Sequence, residues 1–152
     1  MQVPHDGSVL VTDGRKALFL RNQGDREFPN FILVHTWEQQ LAADRSLRSG
    51  APGRTFGSMG HGNRRSSYEE TNLHEQAESQ FASEVADFLN AKMPAHASGE
   101  LVIVAPPRTL GVLRKRLRRE VLERVSAEIT KDLVKHPIIQ IERLVTSYRG
   151  PT

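Results

Sequence analysis

Cysteine is absent from the sequence, and its absence excludes disulfide bonds, thiol catalysis and cysteine-based zinc sites. A chain without cysteine fits a reducing compartment. Long apolar runs are absent as well, since none approaches the roughly 20 residues that span a bilayer. The opening "MQVPHDGSVLVTDG" has neither the basic start nor the apolar core of a signal peptide. These absences together predict a cytoplasmic protein that does not insert into membranes.

Acidic residues are missing from two stretches, residues 45–68 and 101–119, although the chain holds 18 of them. The two stretches carry eleven of the 21 lysines and arginines, so the formal net charge of +3 understates the local positive charge. Clustered cations of this kind favour binding to a polyanion. The alternative is that both stretches are solvated surface that keeps the protein soluble.

Recognisable catalytic and metal-binding patterns are missing too. No two of the six histidines share a spacing typical of a metal site, and no G-x-S-x-G motif is present. The glycine cluster "GSMGHG" is neither a P-loop nor a dinucleotide-binding fingerprint. We therefore predict a protein that is not an enzyme and has no cofactor and no metal. A small-molecule or nucleotide hydrolase is a minor alternative.

Five segments have the composition of β-strands. The Asp13-Gly14 pair between two apolar runs predicts a hairpin of strands 8–13 and 16–21. "FILVHTW" (31–37) predicts a third strand, and its continuous apolar start predicts burial on both faces. "ELVIVA" (100–105) predicts a fourth strand, and the alternating "VSAEI" (125–129) predicts a fifth that is half-buried.

Helical spacing of apolar residues marks three further segments. One helix is predicted over about 69–92, where it stops before a proline. Pro107 and Pro137 suit the first turns of two more helices. The second helix has an apolar face made of Leu110, Leu113, Leu117 and Val121. The Gly/Arg-rich stretch at about 45–68 predicts a flexible loop, because glycine loses the most conformational freedom on ordering.

The order of these elements predicts the fold class. Three antiparallel strands come first, and the strand–helix–strand unit of the second half favours two parallel strands joined by a right-handed crossover. We expect a single α/β domain over residues 1–152. Its mixed sheet would have about five strands and about three covering helices.

Three segments carry a family resemblance. "LVIVAPPRTLGVLRKRL" is followed by "AEITKDLVKHPIIQIE", and both come after the opening "VLVTDGRKALFL". With these segments the chain resembles the bacterial host-attachment protein family, whose members are similar to the central domain of archaeal and eukaryotic peptide-chain release factors. The resemblance covers nearly the whole chain. A threonine often follows "KDL" in that family, whereas Val134 occupies the position here.

The resemblance implies a fold shared with ribosome-associated domains, in agreement with the predicted mixed sheet. In release factors, the loop between the third strand and the long helix carries a Gly-Gly-Gln tip that promotes peptidyl-tRNA hydrolysis. The equivalent loop, about 50–67, has no Gly-Gly-Gln, so hydrolytic release is not implied. The family name implies a part in attachment to host cells, which would be indirect in a protein without a signal peptide.

Our leading hypothesis is a cytoplasmic module that binds RNA or a ribosomal surface through the second helix and the glycine-rich loop. Arg114 and Arg118 lie one helical turn apart in sequence, a spacing that can follow phosphates. The alternative is a protein-interaction module that acts indirectly in host-cell attachment. The residues that we predict to contact nucleic acid are Arg54, Arg64, Arg65, Arg108, Arg114, Lys115, Arg118 and Arg119.

Overall fold

The protein is described by a computed structural model over residues 1–39, 71–93 and 99–150. The strands of these ranges are β1 (Ser8–Thr12), β2 (Lys16–Asn22), β3 (Phe31–Glu38), β4 (Leu101–Val104) and β5 (Val125–Ile129). They form one sheet in the order β3-β2-β1-β4-β5. The β1–β2 and β2–β3 pairs are antiparallel, whereas β1–β4 and β4–β5 are parallel. The predicted single α/β domain with a mixed sheet is therefore confirmed.

The tight turn between β1 and β2 forms where the sequence predicts it. Gly14 has φ +105°, a conformation that residues with a side chain rarely adopt. The carboxylate of Asp13 accepts hydrogen bonds from the backbone N–H groups of Arg15 (2.8 Å) and Lys16 (2.9 Å). This side chain thus satisfies the backbone donors of the turn.

Helices cover both faces of the sheet. Within the described ranges they are α1 (residues 71–92), α2 (Pro107–Arg116), α3 (Arg119–Leu122) and α4 (Ile138–Ser147). On one face, α1, α2 and α3 pack on the sheet, with a core that includes Leu10, Phe19, Val85, Leu89, Ile103, Leu110, Leu113, Leu117 and Val121. On the other face, α4 packs on the sheet, with a core that includes Val9, Val11, Leu20, Val102, Val104, Ile129, Leu133, Ile141 and Val145.

The chain after Pro107 forms two helices, whereas the sequence predicts one apolar face running from Leu110 to Val121. All four residues of that face are buried, but α2 ends at Arg116, and the backbone of Leu117 (ψ 138°) and Arg118 (ψ 156°) is extended. A side chain outside the segment stabilises this break. On α1, the side-chain amide of Asn90 donates to the carbonyl of Arg116 (3.1 Å) and accepts from the N–H of Arg118 (2.8 Å). Because one amide satisfies a backbone acceptor and a backbone donor, the break leaves neither without a partner.

The prediction that the third strand is buried on both faces is wrong. β3 is an edge strand, and its apolar residues Leu33 and Val34 are 44% and 42% exposed. A β-bulge interrupts its pairing with β2, because Phe19 pairs with His35 while Leu20 pairs with Leu33. Val34 is the extra residue of this bulge, and bulges are frequent on edge strands.

Three further predictions concern the glycine-rich loop, the first helix and membrane insertion. The loop predicted to be flexible, at about 45–68, lies outside the described residues. The helix predicted over about 69–92 is present from residue 71 of the described chain. Among the described helices, none has the length and apolarity needed to cross a bilayer.

Two glycine substitutions should change stability in opposite directions. Gly111 lies within α2, where an added Cβ would have no neighbour within 4 Å, so Gly111→Ala should raise the free energy of unfolding by about 0.5–1 kcal/mol. Gly14→Ala should lower it by about 1–3 kcal/mol, because the positive φ strains a residue with a side chain. Urea denaturation of both variants measures the difference. A stabilised Gly14→Ala variant would contradict the assigned turn.

Candidate nucleic-acid interface

Five cations lie near the break between α2 and α3 or in the last turn of α1, which contacts that break. We call Lys92, Lys115, Arg116, Arg118 and Arg119 the basic elbow. All five side chains are exposed. Asn90 of α1 hydrogen-bonds the backbone on both sides of Leu117 and so ties the break to the end of α1, where Lys92 lies in the last turn.

Four of the five arginines in the second acid-free stretch have acidic partners within the chain. Arg108 contacts Glu75 at 3.4 Å and Arg116 contacts Asp87 at 3.1 Å, which links α2 to α1. Similar contacts join Arg114 to Glu128 of β5 (2.8 Å) and Arg119 to Glu123 (3.2 Å). These pairs are largely exposed to solvent and therefore stabilise the fold little. Their main consequence is that part of the positive charge is already compensated.

Two of these guanidinium groups are held firmly in the cationic form. The hydrogen bond to Glu128, together with its charge, raises the pKa of Arg114 above its ordinary value. The hydrogen bond to Asp87 and its charge raise the pKa of Arg116 in the same way. Both shifts strengthen a charge that arginine keeps throughout the physiological pH range in any case.

Three cations of the basic elbow have no acidic partner within 4.0 Å among the described residues. They are Lys92, Lys115 and Arg118. Lys115 lies in the last turn of α2 and Lys92 at the end of α1, where a cation also complements the helix dipole. Lys92 was not among the predicted contacts. The sequence signal for it was its place in the last turn of a predicted helix.

The basic elbow does not include every predicted contact. Arg54, Arg64 and Arg65 lie outside the described residues. The expected spacing of Arg114 and Arg118 along one helix does not form, because α2 ends between them. Arg114 is directed to Glu128 on β5, whereas the backbone of Arg118 is bound to α1.

The "KDLVKHP" segment between β5 and α4 combines exposed charge with buried anchors. Leu133 (5% exposed) and Val134 (2% exposed) are packed in the core beneath α4, whereas Lys131, Asp132 and Lys135 are exposed. The burial of Val134 explains why an apolar side chain is accommodated where the resembled family often has threonine. The segment is thus anchored by its apolar residues.

Metal chemistry finds no support in the described part of the chain. No group of three or more His, Asp or Glu side chains there could hold a metal ion. A shallow hollow beside the end of α4, lined by Met1, Ala127, Tyr148, Arg149 and Gly150, contains one charged side chain.

Comparison with known proteins identifies the family. The sequence model described as Bacterial archaeo-eukaryotic release factor family 12 matches residues 6–145, which include all five strands and, apart from the last two residues of α4, the described helices. The chain is also 44% identical over 46 residues to the "Uncharacterized protein RP470" of Rickettsia prowazekii (strain Madrid E). That stretch covers 30% of this chain and 31% of the rickettsial protein. The predicted resemblance to release factors is thereby confirmed.

The Asn90 amide should be needed to hold the basic elbow in place. Asn90→Ala removes both hydrogen bonds and should lower the free energy of unfolding by about 1 kcal/mol, after the better helix propensity of alanine is allowed for. Asn90→Asp keeps an acceptor for the N–H of Arg118 and should be less disruptive at that group. Amide hydrogen exchange at Arg118 measures the local effect, and urea denaturation measures the global one.

Asn72→Ala is the matched control, because Asn72 lies exposed on α1 and should change stability by less than about 0.5 kcal/mol. Unchanged exchange at Arg118 in Asn90→Ala would contradict the role given to the amide.

Proposed function

The chain belongs to the bacterial archaeo-eukaryotic release factor family 12, and on that basis we propose that it is a non-enzymatic module that binds RNA, free or on the ribosome. The basic elbow is the proposed contact surface. A cytoplasmic location is part of this proposal, because ribosomes and the RNA that they use are found in the cytoplasm. Membership of a release-factor family supports a role close to translation.

The observation that carries the proposal is the group of cations at the elbow that have no acidic partner among the described residues. Lys92, Lys115 and Arg118 come from the ends of two helices and from the break between α2 and α3. Cations of this kind can contact phosphates without displacing an internal partner, and such contacts give affinity that does not depend on base sequence. The ion-paired arginines nearby would contribute less, because a phosphate must compete with a carboxylate.

A binding role, rather than catalysis, is supported by the sequence. The Gly-Gly-Gln tripeptide that release factors use for hydrolysis is absent from the chain. The carboxylates that contact the basic elbow among the described residues, Asp87 and Glu123, are ion-paired with Arg116 and Arg119, which makes them poor candidates for a general base. The proposed module would therefore recognise RNA without cleaving a bond in it.

Charge reversal at the elbow should weaken RNA binding. The double variant Lys115→Glu/Arg118→Glu should lower affinity for RNA and reduce the slope of log affinity against log salt by about one for each lost contact on a duplex, and by somewhat less on a single strand. The double variant Arg26→Glu/Arg143→Glu is the matched control. It changes the net charge equally at two exposed positions away from the elbow, and should leave most of the affinity intact.

Equal losses in both variants would show that net charge, and not the elbow, governs binding. A wild-type protein that shows no salt-dependent binding to RNA or to ribosomes would overturn the proposed function. The alternative drawn from the sequence, a protein-interaction module that acts indirectly in host-cell attachment, would then be favoured.

A further inference from the structure

We propose that the edge of the sheet beside α1 is a stacking site for a nucleobase of single-stranded RNA. The site consists of His35, Trp37 and Phe88, which we call the aromatic platform. The inference rests on the proposed function, since it takes RNA as the ligand. It adds the class of RNA and a second contact surface to that function.

The three rings of the aromatic platform touch one another. His35 is stacked on Phe88, with ring centroids 5.1 Å apart and planes 12° apart. Trp37 meets both rings edge to face, at 4.3 Å from His35 and 4.6 Å from Phe88. The buried Phe19 lies beneath the platform, and its ring centroid is 5.8 Å from that of Phe88. The platform is therefore fixed from beneath by the core.

The bulge in β3 places two of these rings on the α1 side of the sheet. Because Val34 is the extra residue, His35 pairs with Phe19 and points to the same face, and Trp37 follows it two residues later. Without the extra residue the alternation along β3 would turn His35 to the opposite face. Bulges commonly re-aim side chains in this way. The platform thus depends on a specific local irregularity.

The platform is open on its outer side. His35 is exposed, and Trp37 and Phe88 are half-buried, because β3 is an edge strand. Aromatic surface of this kind can stack with any base, since every base has a π-face. An aromatic ring on a rigid scaffold also loses little conformational freedom when it binds.

The charged residues around the aromatic platform determine where the phosphate backbone of a bound RNA strand is expected to lie. Lys92 lies one helical turn after Phe88 on the same side of α1, is exposed and has no acidic partner among the described residues. Glu84 lies one turn before Phe88 and is also exposed, so it disfavours phosphate on that side. A strand whose base is stacked on the platform is therefore expected to leave past Lys92 towards the basic elbow.

Single-stranded RNA fits this arrangement better than a duplex does. In a duplex the bases are stacked on one another and paired, so their faces are not available to a protein ring. An unpaired base can turn outwards and stack on aromatic side chains while its phosphates contact nearby cations. The elbow alone would not distinguish the two forms.

Trp37 is the only tryptophan of the chain, so its fluorescence reports directly on the platform. Titration with a short oligouridylate should quench this fluorescence, whereas inorganic polyphosphate, which has no bases, should bind the elbow without quenching it. His35→Ala should weaken oligouridylate binding about tenfold, the order of effect expected from loss of one stacked base. Its affinity for an RNA duplex should be unchanged.

Two further variants separate stacking from other causes. His35→Phe keeps a ring at the same position and should restore the affinity for oligouridylate. Phe28→Ala removes an aromatic side chain that is 72% exposed on the β2–β3 connection, and should bind as the wild type does. Urea denaturation of each variant shows whether the fold is retained.

The outcomes distinguish this inference from the proposed function. If Lys115→Glu/Arg118→Glu weakens oligouridylate binding while His35→Ala does not, the elbow binds RNA and the platform is refuted. If His35→Ala weakens oligouridylate and duplex equally, selective stacking is refuted. If the wild type binds neither RNA, both the proposed function and this inference are wrong.

Discussion

Strand β1 is the constraint on which the rest of the structure depends. Its five residues are all buried, and each of the first four pairs with β2 on one side and with β4 on the other. Val9, for example, lies between Leu20 and Val102. The antiparallel strands of the first part of the chain and the parallel strands of the second are thereby held in one sheet. Because α1 and α2 pack on the same face of that sheet, the aromatic platform and the basic elbow are fixed relative to each other.

Features encoded by neighbouring residues could be predicted from the sequence. The Asp13-Gly14 turn, the fourth strand and the helix that follows Pro137 were all predicted from local pattern, and all form. The break after Arg116 could not be predicted, since the side chain that stabilises it, Asn90, lies 26 residues earlier in the chain. The exposure of β3 was also missed, because an apolar run does not reveal whether a strand is central or at an edge.

The candidate interface shows that a stretch rich in basic residues need not offer many of them for binding. Of the five arginines in the second acid-free run, Arg108, Arg114, Arg116 and Arg119 have acidic partners. Three of those partners, Glu75, Asp87 and Glu128, lie in other segments that the fold brings alongside, whereas Glu123 is only four residues from Arg119. Lys92, by contrast, belongs to neither run and yet joins the elbow. Contacts between distant segments, which the sequence does not display, decide which cations remain open to phosphate.

We propose that RNA binds across the aromatic platform and the basic elbow, on the side of the sheet that α1 covers. Chemical-shift mapping by NMR tests this binding surface most directly. With a short single-stranded RNA, backbone amide shifts should change around His35, Trp37, Lys92 and Arg118, while the exposed positions of α4, such as Ile139 and Arg143, should stay unchanged. Shift changes confined to α4, or no changes at RNA concentrations that saturate ordinary RNA-binding domains, would contradict the account.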